Sequence, residues 1–168
     1  MKKNTRGFSL IELLIVIVII GILASLAIAG LLASKRSANE GSAVSTMRLI
    51  HGAQMTYATS YGSGEYAGDI GGGTLTAFNV IHGLGLVDDV VGSGSKSGYN
   101  FVGGREVATT SSPAQFFFSA IPISSNSTMG TGNSRFAIAT DGVVRTDQTL
   151  TAHFANAAAV FAAPAYGN

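Results

Sequence analysis

Residues 13 to 33 form an uninterrupted run of 21 residues with no charge, and almost all are apolar. As a helix they would span about 32 Å, enough for a hydrocarbon core of about 30 Å. The side chains are apolar all round, so periodicity marks no outward face. The run's core comprises Leu13, Leu14, Ile15, Val16, Ile17, Val18, Ile19, Ile20, Ile22 and Leu23, and its β-branched members lower helix propensity slightly in water. A bilayer reverses that preference, because the backbone must satisfy its own hydrogen bonds. Lys2, Lys3 and Arg6 precede the run. They are expected on the cytoplasmic side, with the C-terminal bulk translocated. Ala27-Ile28-Ala29 offers an alternative: a small-x-small cleavage site that would free a chain starting near Gly30. Glu12 argues against it, since a carboxylate at the head of an apolar run is costly in lipid and needs a reason.

Composition narrows the remaining classes. The 168 residues fit one domain plus an extension. With no cysteine, neither a disulfide nor a thiolate metal site exists. The formal charge is +1, and loss of the three leading cations leaves seven basic against nine acidic residues, a net of −2. Such a chain is a poor general ligand for nucleic acid, and no nucleic-acid partner is predicted. Glycine contributes 22 residues, but aromatic and β-branched runs argue that the remainder folds.

The stretch Lys2-Lys3-Asn4-Thr5-Arg6-Gly7-Phe8-Ser9-Leu10-Ile11-Glu12-Leu13-Leu14 resembles the processing motif of type IV prepilins and type II secretion pseudopilins. A short basic leader, a glycine, a phenylalanine, a glutamate four residues on and an apolar helix occur together. The resemblance covers roughly residues 1 to 60 and implies an α+β, pilin-like fold. A long N-terminal helix, transmembrane then amphipathic, would pack on a small antiparallel sheet of three to five strands. It further implies that a prepilin peptidase cuts after Gly7 and that the new amino group of Phe8 is methylated. Glu12 would then pair with the Phe8 ammonium of a neighbouring subunit and set axial register. In low dielectric an unpaired carboxylate costs several kcal/mol, and a cation recovers much of that. An intrachain interaction or a carboxylate that snorkels to the interface is the plainer account of Glu12. One departure concerns Ala29, where relatives commonly carry a helix-melting proline; Ala27, Ala29 and Gly30 favour close helix approach instead.

The resulting organisation is a leader at 1–7, a transmembrane and assembly half-helix at 8–34, and an amphipathic half-helix at 35–61. Glycine-rich loops and sheet follow at 62–148, then an alanine-rich tail at 149–168. The helix from Phe8 to Tyr61 would be about 80 Å long. Ala43, Met47, Ile50, Gln54, Tyr57 and Tyr61 recur at helical spacing and form its core stripe. Val44, His51, Met55 and Ala58 form a second face that either meets other subunits or widens the core contact. Thr74 is a candidate cap for a short helix containing Phe78 and Ile81. Strands are expected at Tyr99–Val102, Glu106–Thr110, Gln115–Ile123 and Arg135–Thr140. The pair Gly103-Gly104 reads as a turn, after which Glu106–Thr110 extends Tyr99–Val102 or pairs with it. Asp141-Gly142 signals a hairpin returning through Val143-Val144-Arg145. Ser124–Asn133 reads as an exposed loop, with a weak glycosylation pattern at Asn126-Ser127-Thr128. The tail, with Phe154, Val160 and Phe161, is too apolar to remain free in water and should dock on its own domain or a neighbour.

No motif for catalysis stands out. His51, His82 and His153 are far apart, and Asp88-Asp89 reads as a solvated turn. Gly71-Gly72-Gly73 lacks the ending of a phosphate loop, and no nucleophile elbow occurs. Asp141 and Asp147 are the nearest candidates for the calcium loop found in some pseudopilins. No catalytic, cofactor-binding or metal residue is therefore assigned, and no cofactor is expected. Three functions fit: a pilus subunit, a secretion pseudopilin, or a monomeric anchored or secreted binding module. The first implies a homo-oligomeric helical filament, with the prepilin peptidase and inner-membrane assembly machinery as partners. The bacterial inner membrane would hold the precursor, and the cell surface the assembled form.

Overall fold

The computed structural model describes residues 7–126 and 129–167. The leader cations Lys2, Lys3 and Arg6, and two residues of the Asn126-Ser127-Thr128 pattern, lie outside the described residues. The chain divides into two units, 1–35 and 36–168. In the first, helix α1 (Leu10–Ser60) begins and carries the apolar run. None of its residues up to Lys35 is buried, and Leu10, Leu26 and Leu31 are each more than two-thirds exposed.

In the second unit, the rest of α1 packs against a five-stranded antiparallel sheet. The strands are β1 (Ser95–Lys96), β2 (Tyr99–Glu106), β3 (Gln115–Pro122), β4 (Arg135–Ala139) and β5 (Arg145–Asp147), in the order 1-2-3-4-5. Ala43, Met47, Ile50 and Gln54 of the core stripe are buried, Tyr57 is half-buried and Tyr61 is exposed. Val44 and Ala58 of the second face are also buried, so that face mainly widens the core contact; only Met55 of the four is exposed. The outward residues of this half are instead Gly41, Ser45, Arg48, Leu49, Gly52, Thr56 and Thr59. Gln54, the polar member of the stripe, is fully buried. Its amide donates to Ala67 O at 3.0 Å and accepts from Ala67 N at 2.9 Å, satisfying both like a strand partner.

Phe116, Phe117 and Phe118 are consecutive and fully buried, which in an alternating strand requires cover on both faces. Phe116, Phe118 and Ala120 join Met47, Ile50, Phe78 and Phe101 on the α1 side. Phe117, with Ala137 and Ala139, faces the opposite side and meets Phe154, Ala157 and Val160 of the C-terminal segment. That segment forms helix α4 (Ala157–Ala162), capped by the Asn156 side chain on Ala159 N at 2.8 Å. The tail thus docks on its own sheet, and the unit has three layers.

Gly103-Gly104 is not a turn between two strands, because β2 runs straight through it and pairs with β3 from Tyr99↔Pro122 to Glu106↔Gln115. Both glycines are required by what lies against them. A Cβ on Gly103 would meet the Phe118 ring at 2.3 Å, and one on Gly104 would sit 1.9 Å from Gly72 Cα. Residues 69–74 lie along the edge of β2, where Arg105 N donates to Asp69 O at 3.0 Å and Gly103 N to Thr74 O at 3.0 Å. This covers an edge that β1 is too short to protect. Helix α2 (Thr76–Gly83) starts one residue later than a Thr74 cap would place it. The Thr74 and Thr76 hydroxyls both donate to Asp69, at 2.8 and 2.7 Å.

Asp88 caps α3 (Asp89–Gly92) by accepting from Val91 N at 2.7 Å, while Asp89 turns away to His82. Gly142 closes the β4–β5 connection with φ of 72°, and the return strand begins at Arg145, two residues later than the turn signal implies. The loop from Ser124 is not simply solvated. Arg36 Nε donates to Gly130 O, Asn39 Nδ2 to Thr131 O and Asn133 N to Glu40 Oε1, pinning its second half to α1.

Candidate functional site

The N-terminal motif is built on the start of α1. The first intrahelical bond of the series, Leu13 N to Ser9 O at 3.3 Å, makes Ser9 the residue that precedes the helix proper. Glu12 then occupies the third helical position, and its Oε2 accepts from Ser9 N at 2.9 Å. This is the returning arm of a capping box, with the carboxylate at the positive end of the helix dipole. The signal was present in the sequence as Ser9-Leu10-Ile11-Glu12 and is the feature that reading by charge and hydropathy missed. Glu12 therefore has an intrachain partner in the uncut chain. Nothing lies within 4 Å of a Cβ built on Gly7, and Phe8 is 80% exposed, so the Gly7–Phe8 junction is sterically open.

Below Glu12, Leu13, Leu14, Ile15, Val16, Ile17, Val18, Ile19, Ile20, Ile22 and Leu23 are all exposed around the full circumference of the helix. Helix α1, which carries this run, is long and apolar enough to cross a membrane. An N-terminal helix of that kind is consistent with membrane anchoring.

Elsewhere the titratable side chains serve the fold. The Asp141 carboxylate accepts from Arg145 Nη1 at 3.1 Å and Nη2 at 2.6 Å. Asp147 accepts from Arg135 Nε at 2.6 Å and Nη2 at 2.5 Å. Burial would raise both carboxyls, but these hydrogen bonds and charges outweigh it and hold them below the ordinary range. Both carboxylates of the candidate calcium loop are thus taken up by guanidinium groups. The three histidines stay apart: His51 beside Thr140 O, His82 on Asp89 at 2.7 Å and His153 on Ser119 at 3.1 Å. Among the described residues no group of three or more His, Asp or Glu could hold a metal ion. Buried Tyr99 donates to Ser134 O at 2.9 Å. Desolvation, then the charge of Glu40, keeps its phenol protonated far above the usual value.

The motif and the exposed helix define an N-terminus of the pilin or pseudopilin kind. The family model for the prokaryotic N-terminal methylation motif matches residues 2–33. Among characterised proteins, the type II secretion system core protein G of Dickeya chrysanthemi is 47% identical over 45 residues. That match covers 27% of this chain and 29% of the relative, so the similarity lies in a limited segment of each. No solved structure matches the chain.

Proposed function

We propose that this protein is a structural subunit of an extracellular filament of the type IV pilus kind, assembled through its N-terminal apolar helix. The observation that carries the reading is the helix of unit 1. It exposes apolar side chains on every side, with one carboxylate at its head, directly after a junction of glycine and phenylalanine. A surface of this kind needs lipid or protein around it. Lipid surrounds it before assembly and the helices of neighbouring subunits afterwards. Cleavage after Gly7 by a prepilin peptidase makes Phe8 the N-terminus, which is then methylated. Glu12 receives the Phe8 ammonium of a neighbour on the carboxylate valences that Ser9 N leaves open. The globular unit would face outward, with the inner-membrane assembly machinery as the other partner.

A second reading, a pseudopilin of type II secretion, is favoured by the likeness of the N-terminal segment to a secretion core protein. The arginine-bound Asp141 and Asp147 favour the pilus, because they leave no free acidic pair for a calcium loop. The processing step is tested by the mass of the N-terminal peptide of mature protein. The expected peptide starts at Phe8 and carries one additional methyl group. A start at Gly30 would instead establish ordinary signal-peptide cleavage and remove the filament reading with it.

A further inference from the structure

The C-terminal segment is fastened over the outer face of the sheet at a point where a histidine meets a fully buried hydroxyl. Ser119 sits in the middle of β3 with no exposed surface. Its Oγ accepts from Phe154 N at 3.0 Å and lies 3.1 Å from His153 Nδ1. A serine hydroxyl has one proton to give. With Phe154 N–H occupying a lone pair of Oγ, Nδ1 is placed to accept that proton in the neutral tautomer whose lone pair lies on Nδ1. Protonation puts a hydrogen on Nδ1. Two donors then face Oγ, and the buried Ser119 proton loses its acceptor, a costly state in a dry interior.

The surroundings add to that cost. Arg135 of β4 stacks its guanidinium 3.8 Å from the centre of the Phe154 ring and donates to Ala152 O at 2.6 Å, so a fixed cation flanks His153 on the same segment. Its charge is balanced by Asp147 of β5. Glu106 at the end of β2 is engaged with Ala157 N at 3.0 Å. Burial pulls the His153 imidazole below its ordinary pKa; a hydrogen bond to the Ser119 backbone opposes it, and the charge of Arg135 adds a smaller push in the same direction as burial.

We propose that His153 and Ser119 form an acid-sensitive latch, which holds the C-terminal segment on the sheet when His153 is neutral and loosens it when His153 is protonated. The sign follows from the depressed basicity. Above the ordinary imidazole value of about 6.5 the docked and undocked segments are both neutral, and docking carries no penalty. Below it the undocked histidine takes up a proton that the docked one resists, so acid favours release. Release uncovers Phe117, Ala137 and Ala139. The segment's end is also held to β5 and the residue before it, by Thr146 N to Pro164 O at 3.1 Å and Tyr166 N to Val144 O at 2.8 Å.

The test is hydrogen–deuterium exchange of the full chain in one detergent at about pH 5 and about pH 7.5, either side of the ordinary imidazole pKa and corrected for intrinsic rates. Residues 153–163 should lose protection several-fold at the lower pH, while β2 and β3 amides such as Phe101 and Ala120 stay protected. His153→Gln should erase the difference, and Glu106→Gln, which keeps an acceptor for Ala157 N, should preserve it. Three results would overturn the latch: unchanged protection of 153–163, equal loosening of β2 and β3, or a pH response that follows Glu106 and survives His153→Gln. If His153→Gln does not fold, the wild-type comparison and the Glu106→Gln protein still decide.

Discussion

Replacing Gln54 measures how much one buried polar side chain contributes to the contact between α1 and the rest of its unit. Gln54 is fully buried and Ala67 is 2% exposed, so water has no ready access to the two backbone groups that the amide satisfies. Gln54→Met keeps the length and flexibility of the side chain and removes both hydrogen bonds. Each of the two stranded groups of Ala67 then bears a desolvation penalty of about 1–3 kcal/mol. Gain of an apolar side chain in the core offsets part of this, about 1 kcal/mol. The expected net loss is about 1–5 kcal/mol, a large fraction of the stability of a typical domain. With a urea slope of about 2 kcal/mol/M, the unfolding midpoint should fall by about 0.5–2.5 M. Equilibrium urea unfolding of a fragment comprising residues 36–168, followed by circular dichroism, reads this directly. A shift of less than about 0.3 M with an unchanged slope would refute the argument that this amide acts as the strand partner of Ala67.

Three further outcomes follow from the same structure. The 36–168 fragment should be soluble and folded, since the exposed apolar surface without polar complement is concentrated before residue 36; size-exclusion chromatography and circular dichroism check it, and aggregation without a folded signal would count against it. Gly104→Ala should destabilise that fragment by more than about 1 kcal/mol and raise exchange at Gly71 and Arg105, because the added methyl collides with Gly72 Cα. Asp141 and Asp147 have depressed folded-state pKa values, so their contribution is fully present above the ordinary value of 3.8 and is lost as pH falls below it. Thermal melts across that window should show a decline that Asp147→Asn makes shallower.

The parts of this fold that were legible in the sequence are those with local signals. The apolar run at 13–33 announced itself by length, the core stripe by its helical period, and the β4–β5 connection by Asp141-Gly142. What was hidden depended on contacts distant in sequence. Gly103-Gly104 looks like a turn until Phe118 and Gly72 are seen lying against it. Val44 looks free to meet another subunit until it is seen clustered with α2 and the sheet, and Ala58 until the turn at Gly64 is seen against it. The third layer was partly readable, since the apolar tail was expected to dock on its own domain or a neighbour, but which of the two, and that it covers Phe117, Ala137 and Ala139, could be learned only from the packing of Phe154, Ala157 and Val160. At the N-terminus the capping-box spacing Ser9-Leu10-Ile11-Glu12 was also in the sequence, but reading Glu12 as a lone charge before an apolar run passed over it.

Glu12→Ala, supplied as the sole source of the subunit, tests the filament reading most directly. The substitution removes a charge from a segment meant for lipid, so membrane insertion should be unimpaired. It removes the counter-charge for a neighbour's Phe8 ammonium, whose burial without a partner costs about several kcal/mol per subunit. It also removes the bond to Ser9 N, but Ser9→Pro, which deletes that donor and keeps the carboxylate, separates the two effects. The ratio of protein sheared from the cell surface to protein held in the membrane, read by immunoblot, is the measurement. The account predicts a membrane pool equal to wild type, a sheared fraction close to zero for Glu12→Ala, and a substantial sheared fraction for Ser9→Pro. A wild-type ratio for Glu12→Ala would contradict it and leave Glu12 as no more than the cap of its own helix.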